Sequence, residues 1–253
     1  MDGLLRFAEH NKSVELVGFL GGVDGIMQMK YQTMTRDSFK NYRNLGGINY
    51  IGRGRDQIRT PDEKQSAAKA CKDLGLNGLI LVGATSCLTD GVILSQYFLD
   101  EKIETGVLVI PCSVDGNIHH KYFQTSIGFD TASKVYSQLI GNMLTDSASA
   151  VKYWYFIRLM GKEPSHLALE CALKTSPNMV IVSEECNNRR ETLTDIVNRI
   201  CDTICQRADE GKNYGCVIIP EGLLYNLAAY SQLFSELNKI FQSTDSVTQF
   251  HEL

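Results

Sequence analysis

Short apolar runs rich in Val, Ile and Leu alternate along this chain with longer amphipathic stretches. That alternation restricts it to α/β folds in which parallel strands are joined by flanking helices. Strands are expected at Glu15–Leu20, Gly78–Val82, Val107–Ile110, Tyr153–Leu159, Met179–Val182 and Cys216–Ile219. Most are continuously apolar, as strands covered on both faces should be. Helices are expected near Gly3–His10, Pro61–Leu74, Asp90–Phe98, Thr131–Met143, Ser165–Leu173, Thr192–Ala208 and Leu227–Phe241. Several open on Asp, Ser or Thr, the residues that cap helix N-termini, and Pro61 falls in a first turn. The chain begins on a helix that feeds Glu15–Leu20. In open parallel sheets the first strand and its turn usually build the phosphate site, so that first strand is expected to be missing here.

Composition narrows the function classes. With 253 residues, 43% of them hydrophobic, 21% charged and a net charge of −4, the chain can bury a sizeable core as one large or two small domains. Mild acidity gives no reason to expect nucleic acid or an anionic membrane surface as a partner. The opening MDGLLRFAEHNKS carries charges inside its apolar stretch and does not read as a secretory signal. No apolar run is long enough to span a bilayer. The eight cysteines lack CxxC pairs and nearby histidines, which argues against zinc. Most are expected to be small buried residues of a reducing cytoplasm, with Cys201 and Cys205 packing side by side.

Ligands in open parallel sheets bind at the carboxyl ends of strands, so the residues directly after each expected strand are the site candidates. Gly83-Ala84-Thr85-Ser86 is a small-residue turn into a helix whose free N–H groups suit a phosphate. Pro111 to Asn117 is a polar loop in which Asp115, beside Gly116, can take a proton from an alcohol or simply hold a turn. Met160-Gly161-Lys162 combines a glycine, allowing close approach to backbone, with a cation. Pro220-Glu221-Gly222 offers a carboxylate to hydroxyls. Each alone is more commonly structural than functional; their order gives them meaning.

The runs IGFDTASKVYSQLIGN, KYWYFIRLMGKEPSHLALECALKTSPNMVIVSEE and GKNYGCVIIPEGL resemble the phosphofructokinase superfamily on its pyrophosphate-dependent branch. FLGGVDGI, LGGINYIGRGRDQIRT and LNGLILVGATS follow the matching order upstream. The resemblance implies the phosphofructokinase fold, with Rossmann-like parallel sheets, flanking helices and two lobes. It also implies transfer of a phosphoryl group from pyrophosphate or ATP, with Mg²⁺, to fructose 6-phosphate, chemistry that rests on positioning and electrostatic neutralisation. Carried over by position, Asp115 is the proton acceptor of the Thr-Ile-Asp-Gly-Asp loop, and Ser113 replaces its threonine. Met160, Gly161 and Lys162 stand for the Met-Gly-Arg triplet that holds the sugar phosphate, Glu221 for the glutamate that binds sugar hydroxyls, and Arg55 and Gly83 for donor-phosphate contacts.

Departures from the pattern fall mainly on the donor side. Where the family carries Gly-Gly-Asp-Asp, this chain reads Gly83-Ala84-Thr85-Ser86, and neutral hydroxyls replace poorly the anionic oxygens Mg²⁺ prefers. Cys112 stands in the place of the lysine that offsets charge on the transferring group, Asn117 in that of the loop's second aspartate, and Lys162 lacks the bidentate fork of arginine. The pattern is closest to the regulatory α subunit or the α-like half of fused two-half enzymes. The expected division is a donor-phosphate lobe over 1–126, a sugar-phosphate lobe over 127–225 and a helical return over 226–253, cut short at both ends. The function expected is a regulatory or non-catalytic module that binds a sugar phosphate and pairs with a catalytic subunit or fused half. The alternative is an active phosphofructokinase using Asp115 as base.

Overall fold

A computed structural model describes residues 1–54, 57–118, 120–162 and 164–242, and it divides into two compact units, Met1–Pro111 and Cys112–Leu253. The division falls inside a strand. The first unit contains α1 (Asp2–His10), β1 (Val17–Phe19), α2 (Val23–Met27), β2 (Tyr31–Thr33), α3 (Arg36–Phe39), a 3₁₀ turn (Lys40–Tyr42), α4 (Ile48–Ile51), α5 (Pro61–Asp73), β3 (Gly78–Gly83), α6 (Thr85–Asp100) and most of β4 (Gly106–Ser113). The second contains the end of β4, then β5 (Ile127–Gly128), α7 (Phe129–Ala150), β6 (Trp154–Leu159), α8 (His166–Thr175), β7 (Met179–Val180), α9 (Ser183–Asn188), α10 (Leu193–Asp209), β8 (Gly215–Pro220), α11 (Leu223–Asn226) and α12 (Ala228–Gln242). No described helix is long and apolar enough to cross a membrane.

In the first unit β3 and β4 run parallel, from Gly78 opposite Gly106 to Gly83 opposite Pro111. Leu79 and Leu81 face a core of Ile58, Ala67, Ala68, Cys71, Leu94 and Phe98. α5 starts where the sequence says it should. Thr60 accepts from the Glu63 N–H, Glu63 reaches back to the Thr60 N–H, and Pro61 sits in the first turn. Gly91, inside α6, is required by packing, because a Cβ there would lie 2.2 Å from Val109 Cγ2.

Three expectations fail in this unit. Glu15–Leu20 does not join a parallel sheet: only Val17–Phe19 is extended, and it pairs antiparallel with Tyr31–Thr33. A short connection suffices for such a pair, whereas a parallel partner needs a crossover. Asp90 does not open its helix. α6 begins at Thr85, five residues earlier, and Asp90 is buried within it, ion-paired to Arg59. Nor is the β3–β4 sheet covered on both faces, since Ile80, Val82 and Leu108 are exposed.

The second unit meets the expectation of coverage at its centre. β8 lies between β6 and β7, parallel to both, and is buried almost throughout. One cluster, including Ile140, Leu159, Leu167, Cys171 and Ile218, gathers α7 and α8 on this sheet; another, with Ile181, Ile196, Ile200 and Val217, gathers α9 and α10. α10 is started by a Thr192–Asp195 capping box. Of the cysteines, Cys71, Cys171, Cys186 and Cys216 are buried, Cys87 and Cys112 partly so, and Cys201 and Cys205 are exposed free thiols, so burial holds for four of eight.

Candidate functional site

The second unit brings three of the strand-end motifs into contact. β6 and β8 are neighbours in register, Leu159 opposite Pro220, so the residues after each strand emerge side by side. The ladder runs one step further, the Glu221 N–H donating to the Leu159 carbonyl at 3.0 Å. The Glu221 carboxylate then turns back and its Oε2 accepts from the Gly161 N–H at 3.1 Å. The next amide is held as well: the Lys162 N–H donates to Asp115 Oδ1 at 2.8 Å. Two carboxylates from two different strand ends therefore hold two consecutive backbone amides. Gly161 has φ +150°, a conformation that suits glycine. Met160 and the Lys162 side chain are exposed beside it.

Asp115 is itself fixed by the end of β4. Ser113, buried, donates its hydroxyl to Asp115 Oδ2 at 3.0 Å and accepts from the Asp115 N–H at 3.1 Å. Gly116 follows with φ +65°, and a Cβ there would lie 2.7 Å from the Phe129 ring, so the turn needs glycine for conformation and space alike. The Gly116 carbonyl meets His166 Nδ1 at 3.1 Å, which makes Nδ1 the protonated ring nitrogen. Cys112 is a half-buried member of β4 opposite Ile127.

Sequence reasoning missed a fifth strand end. β7 and the extended residues after it run into Ser183-Glu184, and Glu184 Oε1 accepts from the Ser165 N–H at 2.9 Å, while the Ser183 N–H donates to Ser165 Oγ at 2.9 Å. Ser183 Oγ and Glu184 Oε2 are buried with no hydrogen-bond partner among the described residues. Burial pushes the Glu184 carboxyl up, but bonds from Ser165 and from its own N–H, with His166 nearby, outweigh this and hold it below the ordinary carboxylate range. The rule applied to the other strand ends would have found it, because Met179–Val182 is followed at once by Ser183-Glu184-Glu185.

The expected donor side lies in the first unit. Gly83 ends β3 and packs tightly, since a Cβ there would sit 2.7 Å from Cys87 Cβ. α6 begins at Thr85 with no side chain capping its first amides. The only carboxylate among the described residues of α6 before its last turn is Asp90, which accepts from the Ile58 N–H at 3.2 Å and pairs with Arg59. Thr85 and Ser86 thus offer neutral oxygens alone, a donor set that does not fit Mg²⁺. Among the described residues no three His, Cys, Asp or Glu side chains converge as metal ligands. Arg55 lies outside the described residues.

Comparison with known proteins gives this geometry its context. The phosphofructokinase family model matches residues 1–251. The chain is 41% identical to the α 2 subunit of pyrophosphate–fructose 6-phosphate 1-phosphotransferase from Arabidopsis thaliana, over 92% of its own length and 38% of that protein's. It is 41% identical to the β 1 subunit from the same plant, over 92% and 41%, and 42% identical to the Porphyromonas gingivalis pyrophosphate–fructose 6-phosphate 1-phosphotransferase, over 93% and 43%. The chain therefore spans about two fifths of the length of these relatives. Among solved structures, the pyrophosphate-dependent phosphofructokinase of Marinobacter aquaeolei superposes with a TM-score of 0.71 at 15% identity, covering 92% of this chain and 59% of that one. Phosphofructokinase from Saccharomyces cerevisiae superposes at 0.69 and 21% identity, covering 89% and 30%. Family model, relatives and fold agree, and the chain belongs to the phosphofructokinase family, on its pyrophosphate-dependent branch.

Proposed function

We propose that this chain is a regulatory, non-catalytic module of a pyrophosphate-type phosphofructokinase, which binds fructose 6-phosphate or a related sugar phosphate through Lys162, held in place by the carboxylates around it, and acts with a catalytic subunit. The observation that carries the reading is the contrast between the two strand-end regions. Where the resemblance implies two carboxylates and a lysine, this chain carries Thr85, Ser86 and Cys112. Around Gly161, a cation, a glycine and ordered carboxylates remain. Phosphoryl transfer depends on neutralising charge in the transition state, and each lost charge-stabilising group commonly lowers the rate about a hundredfold or more. The binding side needs none of those groups. No step through Mg²⁺ belongs to this reading.

Relatives named as α and β subunits support a role beside a partner chain. A second reading, an active enzyme with Asp115 as base, draws on the ordered carboxylate at the end of β4. A coupled assay separates the two. The purified chain is given fructose 6-phosphate with pyrophosphate or ATP, alone and mixed with a catalytic subunit. No turnover alone, together with a changed rate or affinity of the catalytic subunit, is expected. Turnover near that of an intact enzyme, abolished by Asp115→Asn, overturns the regulatory reading.

A further inference from the structure

The Gly161–Lys162 turn carries the exposed cation, and nothing in its own sequence fixes it: glycine is the least restrained residue, and Lys162 is exposed. What fixes it comes from two other strand ends. Glu221 accepts from one amide and Asp115 from the next, 3.1 and 2.8 Å away, and neither carboxylate is free to drift. Ser113 holds the second oxygen of Asp115, and His166 holds the carbonyl of the residue after it. The β6–β8 ladder, extended through the Glu221 N–H, holds the backbone of Glu221. Hydrogen bonds from amides to ionised carboxylates are among the stronger ones.

We infer that Asp115 and Glu221 are positioning residues that act jointly on the Gly161–Lys162 turn, setting the direction in which Lys162 is presented to a phosphate. The inference rests on the reading of Lys162 as the phosphate contact, and it assigns the two acids a role that requires a hydrogen-bond acceptor and no proton transfer. An amide oxygen is such an acceptor. Asparagine at 115 can take the Lys162 N–H on its oxygen while its NH₂ faces the Ser113 hydroxyl, and glutamine at 221 can take the Gly161 N–H.

The test uses the whole 253-residue chain and the variants Asp115→Asn, Asp115→Ala, Glu221→Gln and Glu221→Ala. Backbone amide exchange at Gly161 and Lys162 is measured first, without ligand. Asp115→Ala is expected to speed exchange at Lys162, and Glu221→Ala at Gly161, by about tenfold or more, while the Asn and Gln variants keep wild-type protection. Thermal-shift titration with fructose 6-phosphate, with and without a catalytic subunit, comes second: binding is expected to follow the order of amide protection, with the Ala variants several-fold weaker than wild type. If the two wild-type amides exchange as freely as an unstructured chain, the clamp does not exist and the inference falls, whether or not the Ala variants fold. If the Asn and Gln variants lose sugar-phosphate binding while keeping amide protection, the carboxylates touch the ligand themselves and the positioning role is wrong. If wild type shows no sugar-phosphate shift but the exchange pattern holds, the clamp stands and the proposed binding function falls.

Discussion

Removing Arg59 should destabilise the first unit more than removing Asp90, although both changes break the same ion pair. The two side chains sit in unlike places: Asp90 is 5% exposed and Arg59 37% exposed. Asp90→Ala frees a guanidinium that can turn to water and that keeps its bonds to the Gln57 side chain and the Ile58 carbonyl. The loss is then chiefly the acceptor of the Ile58 N–H, in a residue that is 0% exposed. An orphaned buried donor costs about 1–3 kcal/mol. Arg59→Met instead leaves a carboxylate inside α6 with one amide as its partner, and stranding a buried charge in this way costs about 3–5 kcal/mol. Asp90→Asn, which keeps an acceptor for Ile58 and strands no charge on the buried side, should lie below both. Urea unfolding followed by far-UV circular dichroism measures the series; the single tryptophan, Trp154, belongs to the other unit. The reasoning is refuted if Asp90→Ala destabilises as much as Arg59→Met or more, or if Asp90→Asn is the worst of the three.

Gly116→Ala forces a side chain into φ +65° and against the Phe129 ring, and should lower stability by about 1–3 kcal/mol in a chemical melt followed by Trp154 fluorescence. Thr60→Ala removes the cap of α5 and should cost about 1 kcal/mol, with Thr60→Ser restoring most of it. Burial pushes the thiols of Cys71, Cys87, Cys186 and Cys216 up to about 11 from an ordinary 9. Because these folded-state values are raised, the stability they contribute is intact below pH 9 and is lost as the pH climbs through 11, which a series of melts from pH 8 to pH 11 will show. Brief alkylation of the native chain near pH 8, read by peptide mass spectrometry, should label Cys201 and Cys205 first and the buried Cys71, Cys171, Cys186 and Cys216 after unfolding.

The strands and long helices were legible because their signals are local. Continuous apolar runs gave Gly78–Gly83 and Gly215–Pro220 within a residue or two, and Pro61 and Thr192 marked helix starts, where the structure shows capping boxes at Thr60 and Thr192. What the sequence hid depends on a partner far along the chain. Asp90 looks like a cap until Arg59 is seen to neutralise it inside the helix. Glu15–Leu20 has the composition of a parallel strand, and only the neighbouring Tyr31–Thr33 makes Val17–Phe19 half of an antiparallel pair. At the site, the strand-end rule found Asp115, Gly161, Lys162 and Glu221 as separate candidates. Their union, two carboxylates on consecutive amides across 47 and 60 residues of sequence, is a matter of register between β6 and β8 and of the turn after β4.

That union changes what the survival of Asp115 implies. A proton acceptor is expected to be dispensable once transfer has been lost, so an aspartate at 115, in a chain that also carries Thr85, Ser86 and Cys112, reads at first as a sign of remaining catalysis. The geometry supplies another reason for keeping it. The Lys162 N–H needs an acceptor, the Ser113 hydroxyl needs a hydrogen-bond partner, and one side chain at 115 serves both. Alanine there would leave two polar groups without partners and the Lys162 turn held at one amide alone. On the positioning reading, an acceptor at 115 is needed whether or not a proton is ever transferred. The discriminating property is charge, because a base must be aspartate, whereas a clamp functions as asparagine.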